Sequence, residues 1–176
     1  LFRSLHLITA KPILYVCNVS EEDVKTGNTY TQKVSDYVKN QNRLCVTVSA
    51  AIESEIAQLS CAKEQQEFLE TLGLEESGLS SIVRMGYSLL NLLTFFTIGP
   101  KEARAWTLQK GLKAPQAAGV IHTDFEKGYI RAQTIAFDDF IAFKGEQGAK
   151  DAGKMRAEGK EYVVQDGDVL NFLFNV

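Results

Sequence analysis

The sequence predicts two architectures in series: an α/β segment over residues 11–91, then an α+β segment of the β-grasp kind over residues 92–176. Three observations predict this. Two short apolar runs, PILYVCN (12–18) and RLCVTVSA (43–50), are each followed by apolar residues at helical spacing, the pattern of buried parallel strands with helical crossovers. Near Leu93 the pattern changes to β-rich runs joined by Gly99-Pro100 and Asp166-Gly167, both turn signals. The composition, 45% hydrophobic and 23% charged over 176 residues, is that of a chain able to bury a core.

The elements follow in order. PILYVCN ends in polar residues and reads as a strand buried on both faces. SEEDVKTGNTYTQKVSDYVKNQN reads as a loop and then an amphipathic helix carrying Val34, Tyr37 and Val38. RLCVTVSA is a second strand rich in β-branched residues. Residues 54–72 read as one helix with Ile56, Leu59, Phe68 and Leu69, and residues 78–92 as another with Leu79, Ile82, Val83, Leu89 and Leu90. LTFFTIG and EARAWTLQKG form a hairpin. KAPQAAGVIH is a short helix that tolerates Pro115 in its first turn. YIRAQTIAF follows, then a mixed stretch over 138–159. EYVVQDGDVLNFLF predicts a closing hairpin about Asp166-Gly167.

Charge and cysteine content exclude several classes. The net charge of −3 provides no global field toward nucleic acid or anionic membrane. No DNA partner is expected, and any RNA contact must come from a local patch. Lys144, Lys150, Lys154, Arg156 and Lys160 outnumber Glu146, Asp151 and Glu158 in their stretch, which reads either as a solvated helix face or as a phosphate-contacting patch. Cys17, Cys45 and Cys61 lack the spacing of a zinc or redox site and read as buried or inert thiols of a cytoplasmic protein. No apolar run approaches the ~18 residues of a membrane span, and no stretch reads as a signal peptide. The opening, LFRSLHLITAKP, has no initiator methionine and suggests an excerpt from a longer protein. His6 and His122 are the only histidines, and neither joins a catalytic or metal-ligating set, so no catalytic residue and no metal site is assigned.

GAKDAGKM (148–155) imitates a phosphate loop but fails it. The pattern G-x-x-x-x-G-K-S/T needs a hydroxyl at its last position to ligate magnesium. Met155 offers a thioether instead, a poor ligand for a hard cation.

NVSEED (18–23) is more informative, because it stands where the first strand ends, and open α/β sheets place ligand loops there. Ser49-Ala50 closes the next strand. Nucleotide-binding domains of the GTPase type carry an N-K-x-D base-reading loop and an S-A loop on two successive strands. Here the first is altered to Asn18-Val19-Ser20-Glu21, with Val19 replacing the lysine and the longer Glu21 replacing the aspartate. The Asn18 amide can engage the ring nitrogen and amino group of adenine together. Read alone, the tetrapeptide also fits an ordinary loop.

With these residues in view, the chain resembles the YchF-type Obg-like P-loop ATPases. The stretch from TFFTIGPKEARAWTLQKGLKAPQAAGVIH to GKEYVVQDGDVLNFLFNV, residues 94–176, is similar to the family's C-terminal TGS domain. KPILYVCNVSEED resembles its N-x-x-E segment, associated with a preference for ATP. The resemblance implies three parts: residues 1–10 as the end of a helical insertion, 11–91 as the C-terminal part of a G-domain-like nucleotide-binding domain, and 92–176 as the TGS β-grasp domain. It implies Asn18, Val19, Glu21, Ser49 and Ala50 as adenine-side residues. It also implies ATP, with GTP as an alternative, and Mg2+ as ligands of the intact protein, and the ribosome or ribosomal RNA as partner. Lys127, Arg131, Lys144, Lys150, Lys154, Arg156 and Lys160 are the candidate RNA contacts. The family's phosphate loop lies upstream of this stretch, so the chain alone is expected neither to hydrolyse ATP nor to hold it tightly. The alternative function is a non-catalytic RNA- or ribosome-binding β-grasp module, with a purely protein partner as a third reading.

Overall fold

The computed structural model describes residues 2–5, 7–41 and 43–175. His6, and the end residues of the expected first and last segments, lie outside the described residues. The chain divides into two compact units, Leu1–Leu90 and Asn91–Val176.

In the first unit, 3-10 turns at Phe2–Leu5 and Ile8–Ala10 precede β1 (Leu14–Asn18). A 3-10 turn at Glu21–Asp23 leads to α1 (Thr29–Asn40), β2 (Leu44–Val48), α2 (Ala50–Gln58), α3 (Ala62–Leu72) and α4 (Gly78–Leu89). β1 and β2 pair in parallel, from Leu14 opposite Leu44 to Asn18 opposite Val48. α1 starts where it does because the Asn28 side chain accepts from the Tyr30 and Thr31 amides while Thr31 Oγ1 accepts from the Asn28 amide, a reciprocal cap that satisfies otherwise orphaned donors. Ile52, Ile56 and Leu69 form the core, with Val24, Phe68, Leu72 and Leu74 against it.

Two expectations fail in this unit. The single helix over 54–72 is two helices, the first beginning at Ala50. The break comes at Ser60-Cys61: the Ser60 amide and hydroxyl both donate to Glu64 Oε2, and the Glu64 amide donates to Cys61 Sγ. Those groups cap a fresh helix, so the old one ends. β1 is also not buried on both faces, since Val16 is 47% exposed; among the described residues its only strand neighbour is β2.

The second unit is a five-stranded sheet of order β4-β3-β7-β5-β6. Its strands are β3 (Leu92–Ile98), β4 (Ala103–Gln109), β5 (Tyr129–Ala136), β6 (Arg156–Glu158) and β7 (Asp168–Phe174). Its helices are α5 (Ala114–Ile121), α6 (Thr123–Lys127), α7 (Phe137–Ala142) and α8 (Glu146–Asp151). β3 and β4 form the expected hairpin, with Phe95 opposite Trp106. α5 carries Ala114, Ala117 and Ala118, all fully buried, so its backbone can sit close to the sheet. Leu93, Phe95, Leu108, Tyr129, Ala132, Val164, Leu170 and Phe172 complete that core. A second cluster, Ile135, Ala149 and Val169 with Phe96, Phe140 and Met155, involves the α7–α8 stretch. Trp106 is half-buried; its indole N–H donates to Thr97 Oγ1 at 2.9 Å, and Arg104 lies 4.1 Å from its ring centre.

The expected closing hairpin is absent. Asp166-Gly167 does turn, but residues 161–165 do not pair with β7, which lies between β3 and β5. Three groups of interactions redirect the chain. The Thr94 amide donates to Asp166 Oδ1 and the Gly167 amide to the Thr94 carbonyl. The Val164 amide donates to Leu112, and Val163 bridges to Lys113. The buried Asp168 carboxylate takes the Tyr162 hydroxyl at 2.7 Å and the Gln165 amide at 2.9 Å. A hydrogen-bonded carboxylate thus sets the path where local turn propensity alone would fold the chain back. Among the described residues no helix is long and apolar enough to cross a membrane.

Candidate functional site

The parallel register sets Asn18 beside Val48, so the loops leaving β1 and β2 emerge side by side. They are then tied together. The Val19 amide donates to the Val48 carbonyl at 2.9 Å, and the Ala50 amide donates to Asn18 Oδ1 at 3.0 Å. A backbone N–H can meet only the oxygen of that amide, so this bond fixes which way Asn18 faces. Nδ2 has no other partner among the described residues and remains a donor at an exposed side chain. Oδ1 keeps a second lone pair. Donor and acceptor together match the ring nitrogen and amino group of adenine.

Of the expected adenine-side residues, Asn18, Glu21 and Ala50 are exposed and Val19 is half-buried, all at the carboxyl ends of the two strands. Glu21 opens the 3-10 turn, in which Ser20 Oγ donates to Asp23 Oδ2. Ser49 differs. It is 1% exposed and its hydroxyl has no partner, so its side chain belongs to the interior while its carbonyl accepts the Glu53 amide. Beneath the loops, Cys17 and Cys45 place their sulfurs 3.7 Å apart. The Cys45 thiol is pushed up to about 11 by burial, with the neighbouring Cys17 adding to it, and a thiol so held is a poor nucleophile at neutral pH. Cys61 is exposed, and caps α3.

Glu53 is the residue that sequence reasoning missed. Its carboxylate accepts the Gly78 amide at 2.7 Å and the Leu79 amide at 3.1 Å, tying α2 to the first turn of α4. No local signal announced it, since the partner lies far along the chain. A 340 Å³ cavity is lined here by Lys25, Thr47, Ser49, Glu53 and Gly78, among others.

The candidate RNA contacts scatter. The 144–160 stretch is neither one helix face nor one patch: Lys144 follows α7, Lys150 lies in α8, Arg156 begins β6 and Lys160 is in a turn. Lys154 pairs with Asp139 at 3.5 Å. Arg156 lies within 3.7 Å of Glu158 and 3.6 Å of Asp168, and donates to the Tyr162 hydroxyl. Lys127 ends α6 and Arg131 lies on β5; these two, with Lys144, Lys150 and Lys160, have no ion-pair partner among the described residues. GAKDAGKM runs from α8 through a turn, with Gly153 at φ 70°, into β6. That order, helix to strand, presents carbonyls where a phosphate loop presents amides.

Comparison with known proteins finds relatives along the whole chain. Residues 92–175 match the family YchF-GTPase_C, described as "Protein of unknown function (DUF933)". Over 174 residues the chain is 58% identical to the ribosome-binding ATPase YchF of Escherichia coli O157:H7, covering 99% of this chain and 47% of that protein. It is 56% identical over 178 residues to the ribosome-binding ATPase YchF of Bacillus subtilis strain 168, covering 100% of this chain and 48% of that protein. The structure of the Schizosaccharomyces pombe YchF GTPase superposes with a TM-score of 0.82 at 38% identity, over 98% of this chain and 46% of that one. A GTP binding protein from Pyrococcus horikoshii OT3, TM-score 0.63 at 17% identity, shares the mixed α/β fold. The chain spans about half the length of the curated relatives it matches. Residues 92–175 thus match the YchF-GTPase_C family, and the chain is similar along its whole length to part of longer YchF proteins.

Proposed function

We propose that this chain is the base-reading edge and the docking module of a longer, ribosome-associated ATPase. One observation carries the reading: Ala50 locks the Asn18 amide so that Nδ2 and a free lone pair of Oδ1 face outward together. In this reading residues 11–91 are the end of a P-loop-type nucleotide domain, residues 1–10 the end of a helical insertion, and residues 92–176 a TGS β-grasp domain. Asn18, Val19, Glu21 and Ala50 meet adenine, with Ser49 beneath them. The relatives' names, ribosome-binding ATPase and GTPase, support nucleotide and ribosome as ligands and a cytoplasmic setting. The nucleotide's base fits the residues present. Its magnesium does not: among the described residues no three His, Cys, Asp or Glu side chains converge, and nothing here assigns the ion. The chain contributes recognition, and phosphoryl transfer belongs to parts outside it.

Titration calorimetry tests this. In the intact protein Asn18→Ala is expected to weaken ATP binding at least several-fold, a loss of ~1–3 kcal/mol. The isolated chain should hold ATP no tighter than millimolar. An unchanged affinity for the variant removes Asn18 from the site.

A second reading, a non-catalytic ribosome-docking module, is favoured by Lys127, Arg131, Lys144, Lys150 and Lys160, which have no ion-pair partner among the described residues. It calls for co-sedimentation of the second unit with ribosomes that declines as salt is added. Absence of co-sedimentation at low salt refutes it.

A further inference from the structure

We propose that Glu53 is a positioning residue for adenine selection, holding the Ser49-Ala50 loop against Asn18 by gripping the start of α4. This rests on the reading that Asn18 and Ala50 meet the base.

The amides in the first turn of a helix have no partner within it. In α4 two of those amides, Gly78 and Leu79, are taken by one carboxylate, Glu53 Oε1 at 2.7 Å and Oε2 at 3.1 Å. Ser77 Oγ accepts from the Ser80 amide in the same turn. Bonds to an ionised acceptor are stronger than neutral ones, and a negative group suits the positive end of a helix. The other end of Glu53 is anchored too, because its own amide donates to the Ser49 carbonyl at 3.1 Å. Glu53 therefore links the loop residue before Ala50 to α4 through a single side chain.

A second contact makes the linkage stiff. A Cβ at Gly78 would stand 2.9 Å from both Cβ and Cγ1 of Val48 and 3.0 Å from Glu53 Oε1. Real side chains do not approach so closely, so the α4 backbone seats directly on Val48. Val48 is the residue opposite Asn18, and its carbonyl accepts the Val19 amide. The two base-side loops are thus braced from behind at two points, Val48 and Glu53, by the same helix turn. The bond from Ala50 to Asn18 then depends on where that turn holds α2.

The test uses the intact protein and compares ATP and GTP affinities for Glu53→Ala, Glu53→Gln, Asn18→Ala and the double variant Asn18→Ala/Glu53→Ala. Glu53→Ala should weaken ATP several-fold, by no more than Asn18→Ala does, and leave GTP less affected. Glu53→Gln, which keeps an acceptor, should recover part of the loss. The double variant should be no weaker than Asn18→Ala alone, since Glu53 acts through Asn18. Equal loss of ATP and GTP, or losses that add in the double variant, would mean a merely structural role and overturn the proposal. If Asn18→Ala weakens ATP while Glu53→Ala does not, the brace fails and the adenine reading stands. If Asn18→Ala changes nothing, both fail. Should Glu53→Ala not fold, Glu53→Gln decides alone: an ATP-to-GTP ratio equal to that of the unmodified protein sinks the idea.

Discussion

The two units bury their apolar residues to very different degrees. In the second, Phe95 and the three alanines of α5 are fully buried, between β3, β5 and β7 and the loop carrying Val164. In the first, α4 has no buried residue. Leu79, Val83 and Leu90, on and just past that helix, are 62%, 51% and 55% exposed, and β1 exposes Val16. Parallel sheets ordinarily have both faces covered. The second unit has the larger buried core, although Ile130 and Ile141 stay exposed, whereas in the first α4 leaves its apolar residues largely uncovered among the described residues.

The largest expected effect is on the closed core. Phe95→Ala should cost the second unit about 3–5 kcal/mol, read by urea unfolding with hydrogen exchange followed unit by unit. A loss below about 1 kcal/mol would mean that this core is not tightly packed. A smaller effect separates the units by pH. The Tyr162 hydroxyl, buried and bonded to Asp168, is pushed from 10.0 up to about 12; Cys45 is pushed from 9.0 up to about 11. A group held protonated by the fold stabilises it fully below its unfolded pKa, and that stability fades as pH rises through the folded value. The first unit should therefore lose stability between pH 9 and 11 and the second between pH 10 and 12. Cys45→Ala and Tyr162→Phe should each flatten only their own unit's profile; a profile unchanged by its variant refutes that assignment. The smallest effect is expected at the open face. Val83→Gln should change stability by less than about 0.5 kcal/mol, and a loss near that of a core residue would show the face to be packed.

The strands of the first unit were legible in the sequence, but its uncovered face was not. Apolar runs with β-branched residues located β1 and β2, and the break near Leu93 lies close to the division between Leu90 and Asn91. What escaped were interactions made at a distance. The Asp-Gly pair near the end turns as its chemistry requires, but Thr94, far upstream, decides which strand receives the chain. Residues 54–72 have unbroken helical character, yet Ser60 and Glu64 cap a second start. Glu53 looks like any surface acid on a helix until Gly78 is brought to it. Periodicity reports which face an element buries; it does not report which side chain will find another element's unpaired amides.

Trp106 is the chain's only tryptophan, and it lies in the second unit with its indole N–H held by Thr97 and a guanidinium on its ring. Red-edge excited emission is therefore a label-free signal of the fold of that unit.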